Sequence, residues 1–204
     1  MQAWTARRYG APDILKCEDL PMPTPGKGEL RIRVHATTVN SGDVRMRGCD
    51  FPPEMKLMGR LALGWNGPRQ PVLGTELSGV VEAIGEGVTH FRPGDAVFAF
   101  SGMKMGAHAE YAVARETMTA QLPAGLDFAE AAALCFGGTT ALHFLRKAEL
   151  KPGQSVLVLG GAGCVGMALI QLARHQGAEV TATTSARNMD LVAEKGAHDV
   201  LDYN

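Results

Sequence analysis

The rhythm of apolar and polar positions changes near the middle of the chain. Through the first 120 residues the apolar positions fall in short segments, Glu29–Ala36, Gly74–Ile84, Ala96–Phe100 and Ala109–Ala114. Glu29-Leu30-Arg31-Ile32-Arg33-Val34 alternates strictly, which predicts a strand with one face buried. Pro25-Gly26-Lys27-Gly28 and Arg92-Pro93-Gly94-Asp95 supply turns between such segments. Many short strands joined by turns predict a barrel or sandwich rather than a parallel sheet. From Phe128 the pattern is helical, over Phe128–Phe136 and again over Thr139–Lys147. The change in rhythm places a boundary near Pro123–Asp127, dividing the chain into domains of residues 1–125 and 126–204.

The second part carries the most specific pattern. Val156-Leu157-Val158-Leu159 has the length and composition of a strand. It runs into Gly160-Gly161-Ala162-Gly163-Cys164-Val165-Gly166, in which Gly161, Gly163 and Gly166 spell GxGxxG. Val165, Ala168, Leu169, Leu172 and Ala173 then fall at i, i+3, i+4, i+7 and i+8, one face of a helix. Gly177 stops that helix, and Val180–Thr184 reads as a second strand. Strand, glycine turn, helix and strand in this order predict a dinucleotide site. Gly161 is expected to permit the tight turn, Gly163 to let backbone approach a pyrophosphate, and Gly166 to pack helix on sheet. The amides of Ala162, Cys164 and Val165 share that loop, and the helix N-terminus offers unpaired N–H groups to phosphate.

An NAD site carries a carboxylate about 20 residues past the glycines. Here the second strand ends in Thr184-Ser185-Ala186-Arg187, with no carboxylate before Asp190. Hydroxyls and a guanidinium suit a 2′-phosphate, so NADPH is the expected cofactor. Thr184, Ser185, Arg187 and Arg174 are its candidate contacts; solvated helix arginines are the other reading of Arg174 and Arg187. Cys164, at a helix N-terminus, is either an oxidation-sensitive thiol or a small loop filler.

Composition narrows the picture modestly. The chain has 204 residues, 46% hydrophobic and 20% charged, with a formal net charge of −1, which fits a globular protein and gives no reason to expect nucleic acid or an acidic membrane. No apolar run is expected to span a bilayer, and residues 1–20 lack the apolar core of a signal peptide. Four cysteines without pairing logic fit a reducing compartment, the cytoplasm by default. Residues 51–71 gather Met55, Leu57, Met58, Leu61, Leu63 and Trp65 between prolines; an apolar flap and ordinary core packing both account for them.

Several further motifs carry a family likeness. Tyr9-Gly10-Ala11-Pro12-Asp13, Val39-Asn40-Ser41-Gly42-Asp43, Gly74-Thr75-Glu76-Leu77-Ser78-Gly79, Pro93-Gly94-Asp95-Ala96-Val97 and Gly137-Gly138-Thr139-Thr140-Ala141-Leu142 precede the glycine loop in order. With Gly177-Ala178-Glu179-Val180 they make the chain resemble the medium-chain dehydrogenase/reductases, specifically their zinc-free quinone oxidoreductase branch. The resemblance implies an α/β plus β fold: a GroES-like β-barrel domain, then the first βαβαβ half of a doubly wound Rossmann sheet. A third strand at Asp199–Asp202 would complete that half. The second half, the return segment and a homodimer edge are what the resemblance implies for a longer parent, so the chain is expected to be a fragment or a short form. In the short form, one sheet edge stays unpaired.

The implied chemistry is hydride transfer from NADPH to a small-molecule quinone or α,β-unsaturated carbonyl, oriented by the protein. The resemblance places Asn40 and Asp43 on the loop lining the cleft, Asn40 to bond a substrate oxygen and Asp43 to order the loop. It places Thr140 at the nicotinamide; the residues alone also allow Thr140 as a helix cap. Arg45 stands where some quinone reductases carry a tyrosine, and Arg45 and Arg47 are either substrate-attracting or solvated. The alternatives are a non-catalytic NADPH-binding or interaction protein and, less favoured, an NAD(P)-dependent alcohol dehydrogenase. In zinc-dependent relatives a Cys stands at position 40 and a His at 75; with Asn40 and Thr75 there, only Glu76 remains, and no CxxC is present. No metal site is expected. Elemental analysis of purified protein should therefore find zinc far below one atom per chain.

Overall fold

The computed structural model describes Met1–Asn204. Contacts divide it into Met1–Ala133 and Leu134–Asn204, the division falling inside a helix.

The first unit is built on five antiparallel strands: β3 (Glu29–Thr37), β4 (Glu76–Ile84), β5 (Ala96–Phe100), β6 (Tyr111–Arg115) and β7 (Thr119–Gln121), in the order β6-β3-β4-β5-β7. The alternation in β3 buries Leu30 and Ile32 completely, together with Leu77, Val81 and Val97 from β4 and β5. A hairpin of β1 (Gln2–Thr5) and β2 (Lys16–Asp19) joins the sheet region through single bridges, Ala3 to Ala109 and Thr5 to Val72. Between β3 and β4 lie α1 (Ser41–Gly48) and α2 (Pro53–Leu63).

Helix α2 leaves most of its apolar side chains in solvent along with its polar ones. Gly59 sits on the Phe51 ring and Leu63 is buried, whereas Met55, Leu57, Met58 and Leu61 are 54–68% exposed. Core packing does not account for these residues or for Trp65. The helix is tethered at its C-terminal end, where Tyr9 Oη donates to the Gly64 carbonyl at 2.7 Å and Arg60 lies over the Tyr9 ring.

In the second unit, β8 (Ser155–Leu159), α4 (Cys164–His175), β9 (Glu179–Thr184), α5 (Met189–Glu194) and β10 (Asp199–Asp202) form the expected βαβαβ arrangement, a parallel sheet of order β10-β9-β8. Val158, Ile170, Ala173, Val180, Ala182 and Val192 make its core. On the other face of the sheet Leu157, Leu159 and Leu201 are exposed.

The two helical stretches expected at Phe128–Phe136 and Thr139–Lys147 are one helix, α3 (Phe128–Lys147). Asp127 and Glu130 cap its start reciprocally, through Glu130 N to Asp127 Oδ1 and Asp127 N to Glu130 Oε2. Gly137 and Gly138 lower helix propensity, but a Cβ on Gly137 would stand 2.8 Å from the Cys164 carbonyl oxygen. The glycine is the condition for α3 and the start of α4 to touch. At 20 residues α3 has the length and apolarity of a membrane crossing, which the sequence reading did not expect; a buried helix of a globular domain meets the same measure.

Strand β3 is also anchored by charge. Glu29 pairs with Lys104 and accepts from Gly26 N at 3.0 Å. The Lys104 ammonium, helped by the Gly26 amide, holds the Glu29 carboxyl below its ordinary range. A depressed carboxyl stabilises the fold above its unfolded pKa and ceases to do so as pH falls through its folded one. Glu29→Gln should therefore lower the melting temperature at pH 7, and the difference from wild type should shrink in thermal scans as pH falls below the ordinary glutamate value of about 4.3.

Candidate active site

The second unit turns a backbone cradle into the start of α4. Gly160 follows β8 with φ +74°, and its N–H donates to Thr183 Oγ1 at 3.2 Å while Gly161 N–H donates to the Thr183 carbonyl at 2.8 Å. These bonds pin the loop to the end of β9. The left-handed turn residue is thus Gly160 rather than Gly161. Gly161 is a packing glycine, since a Cβ there would meet Ala182, Ile170 and Val192 at 3.1 Å. Gly166 lies against the loop itself, where a Cβ would be 2.3 Å from the Gly160 oxygen. Gly163 is the N-cap of α4 and brings no side chain to it; it is exposed, and only the Gly160 oxygen approaches its missing Cβ, at 3.4 Å. The first amides of α4, at Cys164, Val165 and Gly166, have no intrahelical acceptor and carry the positive end of its dipole. Ala162 is half-buried, packed against the core. The arrangement fits a pyrophosphate.

Thr184 is buried, Ser185 half-buried and Arg187 exposed at the C-terminal end of β9. Asn188 Nδ2 donates to Ser185 Oγ at 3.2 Å, leaving the serine proton free to be given away. Arg174 is not with them. It lies near the C-terminal end of α4, against His198 and Gly196. Because α4 runs back across the sheet, that end stands at the opposite edge from Ser185, about 15 Å along the helix from the glycine loop. A helix length read from the sequence would have excluded it. Thr140 is inside α3 and caps nothing; Thr139, its neighbour, bonds back to the Cys135 carbonyl. Thr140 sits one turn beyond Gly137, the residue that meets Cys164.

In the first unit, Asn40 and Asp43 start α1 with a reciprocal cap. Asn40 Oδ1 accepts from Gly42 N at 2.8 Å and Asp43 N at 3.2 Å, and Asp43 Oδ2 accepts from Asn40 N at 2.9 Å. The other Asp43 oxygen accepts from Gly74 N at 3.2 Å, so Asp43, 3% exposed, ties the loop before α1 to the loop before β4. Asn40 Nδ2 donates to Glu76 Oε2 at 2.9 Å and to Thr75 Oγ1 at 3.5 Å. Thr38 Oγ1 also donates to Glu76, and the His108 ring holds the Thr38 carbonyl at 2.9 Å. Asn40, Thr75 and Glu76 therefore do converge, and with them Thr38 and His108, which the sequence did not single out. Nothing in their spacing marks them, because Thr38 and His108 are 70 residues apart. No three His, Cys, Asp or Glu side chains converge to hold a metal.

Beside the loop lies an apolar cavity of about 580 Å³, walled by Trp4, Leu15, Val39, Asp43, Arg47 and Leu73 among others. Arg47 reaches back to the Gly10 carbonyl at 3.2 Å; Arg45 is exposed.

Residues 26–124 match the alcohol dehydrogenase GroES-like domain. Along its whole length the chain is 35% identical to the quinone oxidoreductase of Rattus norvegicus and 34% identical to the NADPH-dependent alkenal/one oxidoreductase, chloroplastic, of Arabidopsis thaliana. The solved quinone oxidoreductase from Coxiella burnetii matches at a TM-score of 0.87 and 34% identity, covering all of this chain and 62% of that one. Over its whole length the chain is similar to these oxidoreductases. It spans 59% of the rat protein and 52% of the Arabidopsis one. For a medium-chain dehydrogenase/reductase fold the GroES-like unit and the parallel βαβαβ unit are the expected pair, and here both are formed.

Asn40→Ala removes the cap acceptor and the Glu76 donor together. Loss of the cap alone should cost about 1–2 kcal/mol, read as a lower urea midpoint at unchanged slope.

Proposed function

We propose that the chain carries an NADPH-dependent, zinc-independent reductase activity toward quinones or α,β-unsaturated carbonyls, in the cytoplasm. The observation that carries the cofactor half is the cradle at Gly160–Gly166, a helix N-terminus with no side-chain cap, exposed at Gly163. Bound NADPH would supply a hydride from nicotinamide C4. The amides of Cys164, Val165 and Gly166 would hold the pyrophosphate. Ser185 would donate its free proton to the 2′-phosphate, and the Arg187 guanidinium would balance its charge. Thr140, on the face of α3 that meets the glycine loop, would contact the nicotinamide side. The alkenal/one oxidoreductase named above is an NADPH enzyme by its description, and the rat relative is a quinone oxidoreductase; both support the substrate class.

Binding of NADPH without turnover is the second reading. Steady consumption of NADPH with a quinone and enone panel would exclude it.

Parallel fluorescence titrations with NADPH and NADH test the cofactor assignment. NADPH should bind more tightly, and Arg187→Ala should weaken it about tenfold or more while leaving NADH unchanged. Arg174→Ala should change neither. Tighter binding of NADH by the wild type would overturn the NADPH assignment.

A further inference from the structure

We infer that the Thr75 hydroxyl is the donor that receives the substrate's carbonyl oxygen, and that Glu76 positions it through Asn40. The inference rests on the proposed reductase reading and names a residue which that reading leaves open. It follows from counting protons. Asn40 Oδ1 is filled by two backbone amides, and the two Nδ2 protons go to Glu76 Oε2 and Thr75 Oγ1. The Thr38 hydroxyl is given to Glu76, and both Asp43 oxygens face backbone N–H groups. Asn40, the residue expected to bond substrate, has no donor left. Thr75 accepts from Asn40 and gives its own proton to no protein group.

Thr75 is also the member placed to use it. Asp43 and Glu76 are each 3% exposed, whereas Thr75 is half-buried. Its main chain is clamped, the carbonyl accepting from Ser101 N at 2.7 Å and Ser101 Oγ at 3.2 Å. A donor into Thr75 Oγ1 makes its remaining proton a better donor in turn. Glu76 acts at one remove, by fixing which end of the Asn40 amide faces Thr75.

The electron count closes with NADPH and water. Hydride adds to the β-carbon of an enone, NADPH becomes NADP⁺, and the C=C pair moves to give an enolate with its charge on oxygen. Thr75 O–H donates a hydrogen bond to that oxygen without surrendering its proton. Water then protonates the α-carbon and the C=O re-forms. For a quinone the same donor faces the oxygen that becomes phenolate.

The test uses the full chain, with 1,4-naphthoquinone as the probe. Infrared difference spectra should show the bound carbonyl stretch lowered in wild type and in Thr75→Ser, and returned to its unbound position in Thr75→Val. In turnover, Thr75→Val should lower kcat by about 10²–10³ with KM little changed, and Thr75→Ser should restore it. Glu76→Gln should weaken the infrared shift while leaving naphthoquinone affinity close to wild type. Circular dichroism checks that each variant folds, and Thr75→Ala carries the test if the valine variant does not. An unshifted carbonyl in wild type, or the same shift in Thr75→Val, overturns the inference alone. Failure of the wild type to bind naphthoquinone at all overturns the substrate reading and this inference with it.

Discussion

One side-chain amide has no hydrogen-bonding capacity to spare, and the first unit's candidate site is arranged around that limit. Asn40 ends the loop after β3, opens α1 and touches the first residues of β4, serving all three through four hydrogen bonds. An amide has two acceptor lone pairs and two donor protons, so every bond it makes to the fold is withdrawn from any ligand. A residue that reads as a substrate contact by type and place is, by this accounting, architecture. Its orientation is fixed by chemistry as well, because its oxygen faces two N–H groups and its nitrogen faces a carboxylate.

The second unit solves the opposite problem, keeping polar groups unused. Gly163 brings no capping side chain to the exposed start of α4, Gly166 lets the helix pack on the loop, and the Thr183 contacts pin the loop to β9. Backbone amides at a helix start are satisfied cheaply by water; a phosphate that displaces the water meets donors already oriented. The packing at Gly161 and Gly137 sits directly behind this surface, so the cradle is backed by close contacts on two sides rather than suspended on a flexible turn.

Regular elements whose faces alternate or repeat were legible from the residues. The β3 alternation, the α4 stripe and the third strand at Asp199–Asp202 read directly, since burial imposes those periods. The unbroken α3 did not, because Gly137 is there for a contact with Cys164 that lies far along the chain. Gly160 and Gly161 exchanged roles for a similar reason: the motif gives their order, while φ and neighbours decide which one turns. At the site, Asp43 was legible as a loop-ordering residue because its cap is local. Thr38, His108 and the substance of Thr75 were not, because they meet only through sheet register. Arg174 was misplaced by reading residue type without helix length.

Helix α2 has a thermodynamic consequence for the whole chain. Most of the heat-capacity rise on unfolding comes from apolar surface that water meets only after the fold opens. Met55, Leu57, Met58, Leu61 and Trp65, like Leu157 and Leu159 on the sheet, are already hydrated in the folded chain. They contribute little to that rise, so stability should vary more gently with temperature than the length of the chain implies. Any process that dries those residues would steepen the curve, whatever it is that covers them.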